Sequence, residues 1–188
     1  LGDVYKRQPY GEAARVISAL VPVAGRFETF HDASGKVSVI VDYAHTPDAI
    51  TNVLEAVRAV EPRAHVTTVF GAGGNRDHGK RPLMGAAAAA ASDRIIITSD
   101  NPRDEDPKAI ADAVAAGVPV DSPCEVAIIL DRIEAINKAV AEAMPGDVVV
   151  VAGKGHEDYQ EIKGVKYPMD ERVLISEVLE ELKEKNVR

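Results

Sequence analysis

Residues 99–103 place an acid, an amide and a base next to one another directly after a short apolar run. Pro102 removes a backbone donor and restricts Asn101 to extended geometry, so the preceding strand must end here. Asp100 can face an ammonium group, and Arg103 can hold a carboxylate with two parallel hydrogen bonds. The segment therefore suits a zwitterionic ligand such as an amino acid. A capped turn, in which Asp100 or Asn101 bonds its own backbone, is the alternative interpretation.

Three other polar clusters also follow apolar, β-branched runs, at residues 42–45, 71–81 and 153–157. Each run is typical of a strand that is buried on both faces of a sheet. In open α/β sheets, ligands bind at the carboxyl ends of the strands. One shared binding edge explains all four clusters, whereas four unrelated turns would not occur at strand ends so consistently.

Strands alternate with helices along the chain, which predicts an α/β, Rossmann-like fold with a mostly parallel sheet and helices on both faces. The expected strands span residues 36–41, 65–70, 94–98, 125–130 and 147–151. The expected helices begin at Pro47, near residue 82, at Pro107, near residue 133 and near residue 170. Thr46 and Asp106 precede prolines and are expected to cap their helices. A hairpin is expected around Gly164.

Composition predicts one globular unit and excludes several classes of protein. The 188 residues are 46% hydrophobic and carry a net charge of −8, so a broad basic face for nucleic acid is not expected. Cys124 is the only cysteine, and no disulfide can form within the chain. No apolar run approaches the ~20 residues of a membrane span, and residues 1–30 lack a signal-peptide core. The expectation is a cytoplasmic protein without membrane or nucleic-acid partners.

The glycine-rich segment 71–81 resembles two phosphate-binding motifs without matching either. Arg76 stands where a dinucleotide fingerprint needs its third glycine, and Arg81 stands where a phosphate loop needs Ser or Thr. We expect the glycines to let the backbone approach a ligand, with Arg76, Lys80 and Arg81 offering anion contacts. A flexible surface loop is the alternative. The histidines match no metal-ligand spacing, and no nucleophile–base pair stands out, so neither metal ligands nor catalytic residues are assigned.

Five motifs in a fixed order closely resemble the C-terminal part of a Mur ligase of peptidoglycan synthesis, of the kind that adds meso-diaminopimelate. They are residues 25–28 (GRFE), 42–47 (DYAHTP), 79–82 (GKRP), 100–103 (DNPR) and 153–157 (GKGHE). The resemblance extends from about Pro9 to the end of the chain, and residues 1–8 do not fit its pattern.

The resemblance implies that residues 25–188 are the third domain of a three-domain, ATP-dependent ligase. Residues 1–24 would then be a leader followed by the tail of the preceding central ATPase domain, with a helix at 12–20. The intact enzyme would use ATP and Mg²⁺, and it would join meso-diaminopimelate to a UDP-MurNAc-dipeptide held by the other domains. The chain has no Gly-Lys-Thr phosphate loop, so by itself it is expected to be inactive.

The resemblance also assigns two groups of site residues. The meso-diaminopimelate site would comprise Arg76, Asp100, Asn101, Pro102, Arg103, Gly153 and Glu157, and the ATP site would comprise Arg26, Asp42 and His45. Meso-diaminopimelate carries two carboxylates and two ammonium groups, which two arginines and two acids match in charge. Two alternatives stay open: a stand-alone amino-acid-binding module and a dinucleotide-binding oxidoreductase domain, the latter disfavoured by Arg76.

Overall fold

A computed structural model of the chain describes residues 23–32 and 37–186. The strands are β1 (Glu28–His31), β2 (Ser38–Asp42), β3 (Val66–Phe70), β4 (Arg94–Ile97), β5 (Glu125–Ile128), β6 (Val148–Ala152), β7 (Tyr159–Ile162) and β8 (Val165–Pro168). The helices are α1 (Pro47–Val60), α2 (Lys80–Ala91), α3 (Pro107–Ala115), α4 (Arg132–Glu142) and α5 (Glu171–Asn186). Of residues 1–24, interpreted as a leader and the tail of another domain, residues 1–22 lie outside the described residues.

Six strands form one sheet in the order β1-β2-β6-β3-β4-β5. Strands β2, β6, β3, β4 and β5 are parallel to one another. Strand β1 pairs antiparallel with β2 at the edge of the sheet. Strands β7 and β8 form a separate antiparallel hairpin around Gly164, as predicted. This topology confirms the mostly parallel α/β architecture.

Helices cover both faces of the sheet, and each face has its own apolar core. On one face, Ile50 of α1, Met84 of α2 and Ile110 of α3 belong to one buried cluster. On the other face, Ile136 of α4 and Ile175 of α5 belong to a second cluster. All five residues of β6 are buried, because the strand lies in the middle of the sheet with helices above and below it.

The predicted helix starts are explained by side-chain caps. Thr46 Oγ1 accepts a hydrogen bond of 3.3 Å from the backbone N–H of Ala49, with Pro47 in the first turn. Asp106 Oδ1 accepts one of 3.1 Å from the N–H of Lys108. These oxygens satisfy donors that the first turn of a helix leaves unpaired.

Three details differ from the prediction. Helix α2 begins at Lys80 rather than near Pro82, because a proline in the first turn has no intrahelical donor to lose. The apolar spacing of the sequence would place Val60 and Ile133 on the buried faces of α1 and α4, but both lie near helix ends and are exposed. Strand β1 was not predicted at all, because four residues that alternate between half-buried and exposed give only a weak signal.

Helices α2 and α3 pack so closely that Gly85 touches the backbone of α3. A Cβ at Gly85 would lie 2.0 Å from the carbonyl oxygen of Val114. We expect Gly85→Ala to destabilise the chain by about 1–3 kcal/mol through overpacking, although alanine gains about 1 kcal/mol of helix propensity over glycine. Urea unfolding followed by circular dichroism measures the change. Ala90→Gly, at an exposed position of the same helix, is the control that measures propensity alone, and a stabilised Gly85→Ala variant would contradict the close approach.

Candidate functional site

The carboxyl ends of β2, β6, β3 and β4 meet at one edge of the sheet, because these neighbours run parallel. The loops that follow these four strands contain all four polar clusters found in the sequence. The structure therefore brings the clusters together, and it adds the β7–β8 hairpin beside them through a bridge between Arg103 and Ile162.

The side chain of Asn101 is the centre of this edge. Its Oδ1 accepts hydrogen bonds of 2.8 Å from Lys154 Nζ and from the backbone N–H of Glu161. Its Nδ2 donates to Glu157 Oε2 at 3.0 Å. Asn101 thus joins the loop after β4 to the loop after β6 and to the hairpin. Asn101 and Glu157, both assigned to the amino-acid site from the sequence, are in direct contact.

Asp100 and Gly153, also assigned to the amino-acid site, face each other across the same edge. Asp100 Oδ1 accepts a hydrogen bond of 2.7 Å from the N–H of Asn101, so the local turn considered as an alternative is present. Gly153 has a φ of +120°, and a Cβ there would lie 2.8 Å from Asp100 Oδ2. Only glycine satisfies both the backbone conformation and the available space.

Arg103 is held in place by the neighbouring loops. Its Nη1 donates to the carbonyl oxygen of Gly74 at 2.7 Å, and its Nε lies 3.2 Å from Glu161 Oε2. Its φ is +51°, an uncommon conformation for a residue with a side chain. Arg76 is exposed close by: a Cβ at Gly73 would lie 3.6 Å from Arg76 Cγ and 3.1 Å from Arg103 Nη1. Two arginine side chains therefore flank Gly73.

The loop after β3 lies directly against the loop after β4. The N–H of Gly74 donates to the carbonyl oxygen of Asn101 at 2.9 Å. A Cβ at Gly74 would lie only 1.9 Å from the carbonyl oxygen of Pro102. Pro102 thus contributes a backbone contact that leaves no space for a side chain at position 74.

Arg81 corrects one expectation, because its guanidinium is not available as an anion contact. The side chain is buried, and its Nη2 lies 2.8 Å from Glu105 Oε1. The same oxygen accepts a hydrogen bond from the N–H of Asn75. These hydrogen bonds from Arg81 and Asn75 lower the pKa of Glu105 from 4.5 to about 2. Lys80, in turn, donates to the carbonyl oxygen of His45 at 3.0 Å.

Asp42, assigned to the ATP site from the sequence, is buried at the end of β2 and holds two segments of backbone. Its Oδ2 accepts from the N–H of Phe27 and its Oδ1 from the N–H of Ala44, both at 2.8 Å. Asp42 therefore connects the segment before β1 to the loop after β2.

Tyr43 lies between the residues assigned to ATP and those assigned to the amino acid. The guanidinium carbon of Arg26 is 4.7 Å from the centre of its ring, and the ring of His45 packs edge-on at 4.6 Å. The Tyr43 hydroxyl lies 3.5 Å from Glu157 Oε1. Burial and the Glu157 carboxylate raise the pKa of Tyr43. Tyr43 was not predicted to have a role, although it lies within the DYAHTP motif.

A fully buried ion pair between Arg132 and Glu171 lies beneath the edge. Arg132 Nη2 also donates to the carbonyl oxygen of Ala152, the last residue of β6, at 2.8 Å. Burial by itself lowers the pKa of Arg132, but the charges of Glu171 and Asp100 outweigh it and the pKa is raised. The sequence carries no signal for this pair, because its partners are 39 positions apart on different helices.

Within residues 23–32 and 37–186, no group of three or more His, Cys, Asp or Glu residues is placed to hold a metal ion. No helix in that part of the chain is long and apolar enough to cross a membrane.

The parallel sheet with a polar edge defines a Rossmann-like α/β domain, and sequence comparison places it in a family. Residues 25–155 match the model of the Mur ligase, glutamate ligase domain, so the chain belongs to the Mur ligase family.

Several relatives of this chain share one name. UDP-N-acetylmuramoyl-L-alanyl-D-glutamate–2,6-diaminopimelate ligase from Bacteroides thetaiotaomicron is 54% identical over 163 residues, which is 86% of this chain and 34% of the relative. The ligase of that name from Aquifex aeolicus is 54% identical over 85% of this chain and 32% of the relative. A solved structure of a ligase of that name superposes with a TM-score of 0.78 at 39% identity, over 90% of this chain and 34% of that one. The chain spans about a third of the length of these relatives.

The carboxylate of Glu105 makes stability depend on pH. Because its pKa falls from 4.5 to about 2 on folding, the stability it contributes is complete above the higher value and is lost as pH falls toward the lower one. We expect Glu105→Gln to be less stable than the parent at about pH 7 and the difference to shrink by about pH 3. Urea unfolding at both pH values measures it. The exposed Glu55→Gln on α1 is the matched control, and a difference for Glu105→Gln that does not change with pH would contradict the assignment.

Proposed function

We propose that the chain is the C-terminal domain of an ATP-dependent ligase that adds meso-diaminopimelate to UDP-MurNAc-L-Ala-D-Glu. In this proposal, residues 25–188 bind the incoming amino acid and close over ATP, while domains absent from this chain hold the UDP-linked acceptor. The names of relatives at about half identity support the proposal. The reaction uses a nucleotide-linked precursor and ATP, and we therefore assign it to the cytoplasm.

The observation that carries the proposal is the arrangement of opposite charges at the sheet edge. Asp100 and Glu157 meet around Asn101, while Arg76 and Arg103 flank Gly73 on the adjoining loop. A ligand with ammonium and carboxylate groups at both ends matches this distribution. The acids would orient the ammonium groups, and the guanidinium groups would hold the carboxylates, so that one amine is presented for attack.

Arg103 is the residue best suited to read the far carboxylate of meso-diaminopimelate. Its Nε and Nη1 are bound to Glu161 and to the Gly74 carbonyl, so the guanidinium plane is oriented before a ligand arrives. Pre-orientation reduces the entropy that the side chain loses on binding. Lysine lacks that far carboxylate, and a rigid guanidinium therefore separates the two substrates.

The residues assigned to ATP fit it unequally. Arg26 is exposed and can contact a phosphate group. Both carboxylate oxygens of Asp42 already accept hydrogen bonds from backbone N–H groups. Each carboxylate oxygen still has a lone pair that can accept a ribose hydroxyl. When bound, ATP activates the carboxylate that the amine attacks. We expect the Mg²⁺ ligands to lie mainly in the other domains, because the described residues offer no metal site.

Arg103→Ala tests the selectivity for meso-diaminopimelate in the full-length ligase. Loss of a charge-assisted hydrogen bond should lower kcat/KM for meso-diaminopimelate at least about tenfold. The kcat/KM for lysine should change much less, because lysine makes no such contact. Steady-state rates with both amino acids measure the two effects.

Glu161→Gln is the matched control, since it removes the charge that braces Arg103 and keeps the guanidinium. We expect it to lower kcat/KM for meso-diaminopimelate less than Arg103→Ala does, and to leave kcat/KM for lysine nearly unchanged. Equal losses for both amino acids in Arg103→Ala would mean that Arg103 only braces the loop.

A second test uses the 188-residue chain by itself. Because it has no Gly-Lys-Thr phosphate loop, we expect it to unfold in one cooperative transition and to release phosphate from ATP only at background rate. The assay contains ATP, Mg²⁺, meso-diaminopimelate and the UDP-linked acceptor, and a full-length ligase is the positive control. Turnover by the chain that depends on both substrates would show that the described edge supplies more of the chemistry than we assign to it.

A further inference from the structure

Lys154 is a charged side chain that is completely buried at the candidate site. It follows Gly153 in the loop after β6. An isolated ammonium group in the protein interior is very costly, so a buried lysine either gives up its proton or is fully bonded. The partners of Lys154 therefore determine what it does.

Three acceptors surround Lys154 Nζ. The Asn101 Oδ1 and the carbonyl oxygen of Tyr159 each lie at 2.8 Å, and Glu157 Oε2 lies at 3.5 Å. An ammonium group has three N–H donors and no acceptor, so three acceptors match its charged form. Burial lowers the pKa of Lys154, while the charges of Asp100 and Glu157 act in the opposite direction. The geometry makes Lys154 a hydrogen-bond donor and not a base for the attacking amine.

The bond from Lys154 decides which way the Asn101 carboxamide points. Oδ1 faces two donors, Lys154 Nζ and the Glu161 N–H, and Nδ2 faces the Glu157 carboxylate. A flipped carboxamide would place its N–H₂ against the ammonium group and its oxygen against the carboxylate. Both contacts would be repulsive. Lys154 therefore stabilises the carboxamide orientation that the structure shows.

We propose that Lys154 is a positioning residue for amino-acid binding: it holds the Asn101 carboxamide in the orientation that points its N–H₂ toward Glu157 and the incoming amino acid. The amide nitrogen has two N–H bonds, of which Glu157 takes one, and the second reaches a carboxylate oxygen of the amino acid. This inference rests on the proposed function, because it assumes that the amino acid binds at this edge.

A double-mutant cycle in the full-length ligase tests the proposal. The variants are Lys154→Met, Asn101→Ala and the combination of the two. We expect Lys154→Met to raise KM for meso-diaminopimelate at least about tenfold, with KM for ATP unchanged. In the Asn101→Ala background, the same change should have little further effect on KM for meso-diaminopimelate. Lys166→Met, at an exposed position of the hairpin, is the control and should leave both constants unchanged.

Three results would overturn the proposal: equal effects of Lys154→Met in the two backgrounds, an unchanged KM for meso-diaminopimelate, or a parallel rise in KM for ATP. Equal effects would mean that Lys154 touches the amino acid directly or only supports the fold. Unfolding midpoints of all variants are measured alongside.

If Lys154→Met does not fold, a measurement on the unaltered protein decides. Nitrogen-15 NMR should show Lys154 as an ammonium group at neutral pH, with slowly exchanging Asn101 side-chain amide protons. A neutral Lys154 amine, or rapidly exchanging Asn101 amide protons, would overturn the proposal. An unaltered full-length ligase that does not use meso-diaminopimelate would instead refute the proposed function, and the NMR result would be unaffected.

Discussion

A row of four buried residues, Val41, Val151, Val69 and Ile96, fixes the register of the central strands. Val151 of β6 pairs with Val41 of β2 on one side and with Val69 of β3 on the other, and Val69 pairs with Ile96 of β4. All four are fully buried. A slip of one residue in any pair would turn every side chain of one strand to the opposite face of the sheet, against the other layer of helices. Since the strands are locked in this register, the loops that follow them emerge side by side, and the site depends on that alignment.

The Arg132–Glu171 pair connects this edge to the helices behind it. Arg132 begins α4, Glu171 begins α5, and Arg132 also binds the last carbonyl of β6. Replacing a whole buried pair by apolar residues is often tolerated, whereas removal of one partner leaves an uncompensated charge. The pair therefore makes the position of α5 and the end of β6 mutually dependent. Its positive end also lies near Asp100, which links the charge balance of the site to the packing of the C-terminal helix.

Local signals were sufficient to predict most of the fold, but not the contacts between loops. The caps at Thr46 and Asp106 and the β-branched strands can be recognised within a few residues, because the physics that determines them is local. The parallel topology then follows from the alternation of strands and helices. Strand β1 could not be predicted, since its pairing with β2 supplies the stability that its own sequence does not.

The sequence was sufficient to predict which loops form the site, but not the hydrogen bonds and ion pairs between them. Asp100, Asn101 and Glu157 stand out because polar residues follow apolar strands. Lys154 lies in the same motif, but its burial depends on the hairpin and on Asn101, 53 positions away. The expectation for Arg81 was wrong for the same reason: its partner Glu105 is 24 positions distant, and one sequence does not show which basic residues are already paired.

The backbone contact between Gly74 and Pro102 limits how such a site can diversify. No side chain fits between these two loops at position 74. A larger residue there, or a wider gap between the loops, would displace Asn101. We therefore expect variation at the two arginine positions, 76 and 103, and not at the contact between the two loops. A different amino-acid preference would thus arise from single substitutions at these two positions and not from insertions into the two loops.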